Sequence, residues 1–270
     1  MQVITKSFIL MFFVIVLASC SSSPSQKKLE SLFREKGVVG TIVISNLDGS
    51  QKYQAYPERA KTAFLPASTF KIPNTLIALE EAVISSPGEI LKWDGKVRFV
   101  EAWNQNHSLM TAFPVSCVWF YQELARRVGN ETYLEYLKTL NYGNMLTGPE
   151  ISRFWLDGDL RITAEEQIVF LKKLYAEDLP FQPENFQVLK EVMVVEQSED
   201  YTLYAKTGWA VRDDGEHIWW VGYEEKGEEV WFFATNIEIT NNDQAQLHKE
   251  ITREALGLIG VLPSVQEEQN

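Results

Sequence analysis

The chain has 270 residues, enough for one large domain or two small ones, of which 45% are hydrophobic and 23% charged. That ordinary globular balance excludes a disordered chain, a collagen and a coiled coil. Lys and Arg number 25 against 37 Asp and Glu, and the net charge of −12 repels phosphate backbones, so nucleic acid is not an expected partner.

Residues 1–20 read MQVITKSFILMFFVIVLASC, with Lys6 as the only charge and an apolar run from Phe8 to Ala18. The run is short for a membrane span and suits an export signal, so residues 1–19 are expected to be removed. Leu17-Ala18-Ser19-Cys20 resembles the lipobox of bacterial lipoproteins. That resemblance implies cleavage before Cys20, its lipidation, and a membrane tether in the periplasm. Ordinary signal cleavage nearby is the alternative. Residues 20–29 then read as the lipidated Cys and a tether, with Ser21 to Lys27 short and flexible, and residues 30–270 as the folded domain. Cys20 and Cys117 are the only cysteines, too few for a disulfide framework or a zinc site. Three scattered histidines make a metal centre improbable, so none is expected.

Gly37 to Ser45 is β-branched and apolar, Asn46 to Gly49 is turn chemistry, and Lys52 to Tyr56 alternates, which predicts a hairpin. Helical spacing runs over Ser68–Val83, Val118–Val128, Glu131–Leu140, Ala164–Tyr175 and Glu184–Val195. Strands return at Tyr201–Ala205, Ile218–Tyr223 and Val230–Ile237, with turns at Asp213-Asp214-Gly215 and Lys226-Gly227. Gln244 to Leu258 closes the chain as an amphipathic helix. Strands from both chain ends around a helical insert predict an α/β (α+β) fold. One antiparallel sheet would carry an inserted helical region, with a site in the cleft between them.

Ser68-Thr69-Phe70-Lys71 follows Pro66-Ala67 and opens the first long helix. Three-residue spacing puts Ser68 and Lys71 on one face. A serine hydroxyl needs a base to become a nucleophile, and a helix N-terminus offers free N–H groups for an oxyanion. The same pattern also fits a helix cap with a solvated lysine. A second copy, Ser25 to Lys28, shows how easily the spacing arises. Lys206-Thr207-Gly208, read as the end of a strand, could present charge and backbone to a carboxylate, or be a plain turn. Ser116-Cys117-Val118 and Tyr142-Gly143-Asn144 are weak when taken singly.

In order and spacing, Ser68-x-x-Lys71, Ser116-x-Val118, Tyr142-Gly143-Asn144, Trp155 and Lys206-Thr207-Gly208 together resemble the class D (oxacillinase) serine β-lactamases. Phe154-Trp155-Leu156-Asp157-Gly158 and Ile218-Trp219-Trp220-Val221-Gly222 extend the likeness, which runs from about residue 30 to 262. The resemblance implies the serine β-lactamase/DD-peptidase-like fold, with a five-stranded antiparallel sheet, flanking helices and a mostly helical region. It implies that Ser68 attacks the β-lactam carbonyl and that Lys71 is the base as an N6-carboxylysine, formed from CO2 or bicarbonate with no other cofactor. Ser116 would pass a proton to the ring nitrogen. Phe70, Val118, Trp155 and Leu156 would enclose the modified lysine, with Trp155 bonding the carbamate. Lys206 and Thr207 would line the carboxylate pocket, and the N–H groups of Ser68 and Trp209 the oxyanion hole. Trp103 would wall the cleft. Tyr142, Gly143, Asn144 and Gly208 are motif positions with a mainly structural part.

A lysine with a pKa near 10.4 is neutral in roughly one molecule in 2,500 at pH 7, a penalty of roughly 4.6 kcal/mol. An apolar pocket lowers that barrier by disfavouring the ammonium, and the neutral amine can then capture CO2. One departure stands out: the family's carboxylate-binding arginine falls at His248, and Arg253 lies five positions on. Histidine is mostly neutral at pH 7 and lacks the guanidinium fork, which predicts weaker substrate binding unless Lys206 or Arg253 compensates. No class A-type deacylating glutamate is evident; Glu150 and Asp157 are the acids near Trp155. Asp157 is expected either to pair with Arg212 or to be solvated. A penicillin-binding DD-peptidase and a β-lactam sensor domain share parts of the pattern and are the alternative functions. The protein is expected to be a monomer or a homodimer.

Overall fold

The structure, a computed structural model, describes residues 23–212 and 215–263. Helix α1 (Pro24–Glu35) leads into β1 (Gly40–Asn46) and β2 (Lys52–Ala55). The short α2 (Pro57–Ala60), a 3₁₀ turn (Ala67–Phe70) and α3 (Lys71–Glu80) follow. The helical region continues with α4 (Leu109–Ala112), α5 (Val118–Val128), α6 (Asn130–Leu140), α7 (Ala164–Tyr175) and α8 (Pro183–Met193). Strands β3 (Val194–Gln197), β4 (Thr202–Arg212), β5 (Gly215–Lys226) and β6 (Glu229–Ile239) come next, and α9 (Leu247–Leu258) closes the order.

All pairings are antiparallel, in the order β2-β1-β6-β5-β4-β3. Side chains alternate across the sheet. From β5, Ile218 and Trp220 join Leu29, Phe33, Ile251 and Leu256 beneath α1 and α9. Trp219 and Val221 face the other way, into a larger core with Leu76, Phe120, Leu171 and Leu189 from the helical region. A sheet covered on both faces explains why β5 and β6 read as nearly continuous apolar runs.

Four expectations change. The sheet has six strands rather than five, because α8 ends at Met193. The β-branched Val194 and Val195 extend into β3, where Val194, Glu196 and Gln197 pair with the start of β4 and the register shifts at Val195. The tether is helical from Pro24 onward: Ser23 caps α1 through its Oγ, which accepts from the Gln26 N–H at 3.1 Å. Leu29 is already buried in the core. Strand β4 does not stop at Ala205 but runs to Arg212, so Lys206-Thr207-Gly208 lies within a strand and not in a turn. The Ser68–Val83 helix is divided into the 3₁₀ turn and α3, which ends at Glu80. The export segment and Cys20 lie outside the described residues.

Candidate active site

The 3₁₀ turn makes the central pair. With three residues per turn, positions i and i+3 eclipse one another. Lys71 Nζ accordingly donates to Ser68 Oγ at 2.8 Å. Ala67, just before Ser68, is held at φ +48°, an uncommon conformation for a residue with a Cβ. The surroundings fix that kink. The Ala67 N–H donates to the Trp155 carbonyl at 2.8 Å. Trp219 Nε1 at 2.8 Å and His217 Nε2 at 3.0 Å share the Leu65 carbonyl. Thr69 Oγ1 donates to the Pro66 carbonyl at 2.7 Å and accepts from Gln167 Nε2 at 3.0 Å. A strained backbone retained by this many contacts is a common feature of functional sites.

Lys71 has 0% exposure. Burial pushes its amine well below the ordinary lysine range, and the Lys206 charge pushes the same way. Its Nζ stands 5.1 Å from the centre of the Tyr121 ring. Phe70 stacks on Trp155 at 5.7 Å and meets Phe154 edge-on at 5.0 Å. Val118 opens α5, which packs on α3. Val118 and Leu156 are half-buried members of the same apolar core. Trp155 is fully buried, and its indole N–H has no hydrogen-bond partner. A buried donor left open normally costs about 1–3 kcal/mol.

Ser116 approaches from the loop before α5, in the left-handed region at φ +55°. Its Oγ accepts a short hydrogen bond from Lys206 Nζ. Lys206 is 4% exposed, and burial followed by the nearby Lys249 charge lowers it to about 7. A half-protonated amine against a hydroxyl is suited to passing a proton at neutral pH. Gly208 lets β4 close on the nucleophile turn: a Cβ there would stand 2.7 Å from the Pro66 carbonyl oxygen and 3.2 Å from the Thr69 nitrogen. Trp209 follows in the strand, its ring partly exposed and its Nε1 donating to Glu216 at 3.0 Å.

Tyr142-Gly143-Asn144 is structural. Gly143 has φ +54°, and a Cβ there would stand 2.0 Å from the Arg161 carbonyl oxygen. Asn144 Nδ2 donates to the Asp159 carbonyl at 2.8 Å and its Oδ1 accepts the Arg161 N–H at 3.0 Å, which ties down the segment leading to α7. The Tyr142 ring packs against Phe70 and Phe170, and burial pushes its phenol up. Trp103 is mostly buried, not an open wall. Its Nε1 donates to the Val115 carbonyl at 2.8 Å, beside Ser116, while Phe99 meets its ring edge-on and is 93% exposed.

Glu150 accepts from Ser152 Oγ at 2.7 Å and caps its own turn. Asp157 accepts from Arg153 Nε at 3.0 Å; the side chain of Arg212 lies outside the described residues. Cys117 is a buried free thiol. His248 is buried and pushed down to about 4, with both ring nitrogens unpartnered. Arg253 is bonded to Glu196. Neither stands as a free cation. Tyr121, Gln167 and His217 were not legible as site residues, whereas the open Trp155 donor was expected from the resemblance. Tyr121 carried the one available signal, at i+3 from Val118 on the same helix.

Residues 34–257 match the transpeptidase family, described as the penicillin binding protein transpeptidase domain. Beta-lactamase OXA-48 of Klebsiella pneumoniae is 40% identical over 237 residues, covering 88% of this chain and 89% of that protein. Beta-lactamase OXA-10 of Pseudomonas aeruginosa is 41% identical over 234 residues, with 84% and 88% covered. Among solved structures, the class D β-lactamase YbXI from Nostoc superposes with a TM-score of 0.85 at 43% identity, over 87% of this chain and 99% of that one. FUS-1 (OXA-85) from Fusobacterium nucleatum subsp. polymorphum gives a TM-score of 0.85 at 36% identity, over 87% and 98%. With that identity spread over most of the chain, and the serine–lysine turn set against β4, this protein belongs to the class D β-lactamase family.

Proposed function

We propose that the protein hydrolyses β-lactam antibiotics through an acyl-enzyme on Ser68, and so confers resistance to them. The observation that carries this reading is the dry amine of Lys71, 2.8 Å from the Ser68 hydroxyl. A water-excluded lysine is neutral far more often than a solvated one, and only the neutral form accepts a proton. Lys71 is also the residue that would carry the carboxylate. A carbamate formed there from CO2 would supply an anionic base for acylation and again for activation of water. The buried, unpartnered Trp155 N–H matches the acceptor such a group would offer.

Ser68 Oγ attacks the ring carbonyl carbon and its proton goes to the base at Lys71. The carbon–nitrogen bond breaks, and the ring nitrogen takes a proton from Ser116, which Lys206 resupplies. Backbone N–H groups of Ser68 and Trp209, brought together by the close approach at Gly208, hold the oxyanion. Water then cleaves the serine ester and returns Ser68 to its hydroxyl form. Export of the chain and lipidation at Cys20, which would place the enzyme in the periplasm on a membrane tether, belong to the same proposal.

Turnover of a chromogenic cephalosporin tests the reading. Sustained product, abolished in Ser68→Ala, is expected. A single stoichiometric burst would instead favour a penicillin-binding transpeptidase or a sensor.

A further inference from the structure

The chain enters the nucleophile turn through the peptide plane between Leu65 and Pro66. Proline has no N–H, so the Leu65 carbonyl is the only hydrogen-bonding group on that plane. A carbonyl oxygen can accept twice. This one does, from Trp219 Nε1 at 2.8 Å and from His217 Nε2 at 3.0 Å. A single donor leaves the plane free to rock about one bond, whereas two donors fix it. Ala67 then turns the chain at φ +48°, and Ser68 follows. The tilt of the Leu65–Pro66 plane therefore governs where the Ser68 hydroxyl and N–H point.

His217 stands on β5 directly opposite Ala210 of β4, the residue after Trp209. Ala210 packs with Leu65 and Ala67 in a small buried cluster at the turn. The strand pair that carries the Trp209 N–H thus also carries the donor that holds the Ser68 turn. The ring of His217 is 9% exposed and packs on Phe64, with 5.2 Å between centres. Burial pushes it below the ordinary histidine range, so it is mostly neutral at pH 7. A carbonyl can only accept, so the single ring proton sits on Nε2.

We propose that His217 is a positioning residue for acylation: its Nε2–H fixes the Leu65 carbonyl and so sets the Ser68 turn against the Trp209 N–H across the oxyanion hole. The proposal rests on the β-lactamase reading above. His217 acts through the turn, three residues before the nucleophile, and takes no proton itself.

Two variants separate the hydrogen bond from the packing. His217→Phe keeps a ring against Phe64 and removes the donor; His217→Gln loses the ring and keeps a donor. Neither orphans the Leu65 carbonyl, which retains the Trp219 N–H. Both have room, because position 217 lines an open cavity of about 410 Å³. His217→Phe is expected to lower kcat/KM for a chromogenic cephalosporin about tenfold, less than deletion of an oxyanion donor outright. His217→Gln is expected to stay within about threefold of wild type. The second readout is an arylboronic acid. Ser68 Oγ adds to the boron and gives its proton to the base at Lys71, and the tetrahedral boronate places an oxygen in the oxyanion hole. Its Ki is expected to rise about tenfold in His217→Phe, in step with kcat/KM, and to stay near wild type in His217→Gln. A merely structural role would reduce the amount of active enzyme and leave Ki unchanged. Loss in His217→Gln equal to or greater than that in His217→Phe, an unchanged Ki, or full activity in His217→Phe would overturn the assignment alone. Absence of sustained turnover by wild type would remove the β-lactamase reading and the assignment with it.

Discussion

Lys71 and Glu224 are both fully buried ionisable side chains, on opposite faces of one sheet, and their surroundings differ sharply. On the helical side, Lys71 is bonded to a serine hydroxyl, and the strained turn beneath it is held by the Leu65, Pro66 and Trp155 carbonyls. On the α1/α9 side, Glu224 stands between Leu203 and Trp231 in the ladder, and neither carboxylate oxygen has a partner. Burial raises the Glu224 carboxyl to about 7. His248, on the same side, is likewise buried and unpartnered. Burial shifts all three groups toward neutrality, but only at Lys71 does the neutral form touch a group that needs a base. A displaced proton equilibrium becomes catalytic through what lies 2.8 Å away, and is otherwise a liability to stability.

That contrast can be broken most directly at Lys71. Lys71→Ala is expected to lower kcat/KM for a chromogenic cephalosporin by about 10³-fold or more, the usual scale for loss of a general base. Retention of a tenth of the activity would show that the amine is not the base. Trp155→Phe keeps the ring stack on Phe70 and removes the open N–H. Its activity is expected to fall about 10- to 100-fold, as for loss of a group that orients a catalytic centre. Saturating bicarbonate should recover part of it; a loss insensitive to bicarbonate would mean that the indole acts only by packing.

On the other face the effects should be on stability alone. Glu224 has a folded pKa near 7, above the ordinary carboxylate value, so the folded state keeps its proton where the unfolded state has lost it. Its contribution to stability therefore falls as pH rises from about 4.5 to 7 and stays low above that. Glu224→Leu is expected to add about 1–3 kcal/mol at pH 8, the scale of an unsatisfied buried polar group, and little at pH 4, with kcat unchanged. Urea unfolding at both pH values reads this; an equal gain at both would remove titration as the cause. His248 has the opposite sign. Its folded pKa near 4 lies below its ordinary value, so stability is lost as pH falls from about 6.5 to 4.

Much of this arrangement is legible in the amino-acid sequence. Helices α5 and α7 fall on their expected bounds, because their ends carry local signals. Thr163 and Glu166 form a reciprocal capping box at α7, at 3.0 and 2.8 Å. The candidate catalytic residues Ser68, Lys71, Ser116 and Lys206 were expected from the family resemblance that their ordered motifs carry. Other features depend on partners distant in sequence. Ala67 and Ser116 give no hint of a left-handed backbone, since neither is a glycine or asparagine. The continuation of β4 through Lys206 depends on pairing with Val221, which polar residues in the strand conceal. β3 was hidden inside an apparently helical run, because Val194 and Val195 also fit a helix period. The burial of His248 and the bond of Arg253 to Glu196 likewise depend on contacts distant in sequence.

The central claim is that Lys71 is dry enough to lose its proton and take up CO2. Purified enzyme equilibrated with ¹³C-bicarbonate should show one carbamate resonance by ¹³C NMR. It should be absent from Lys71→Ala, vanish on acidification, and return with activity when bicarbonate is restored. An enzyme that sustains turnover with no such resonance would contradict the account.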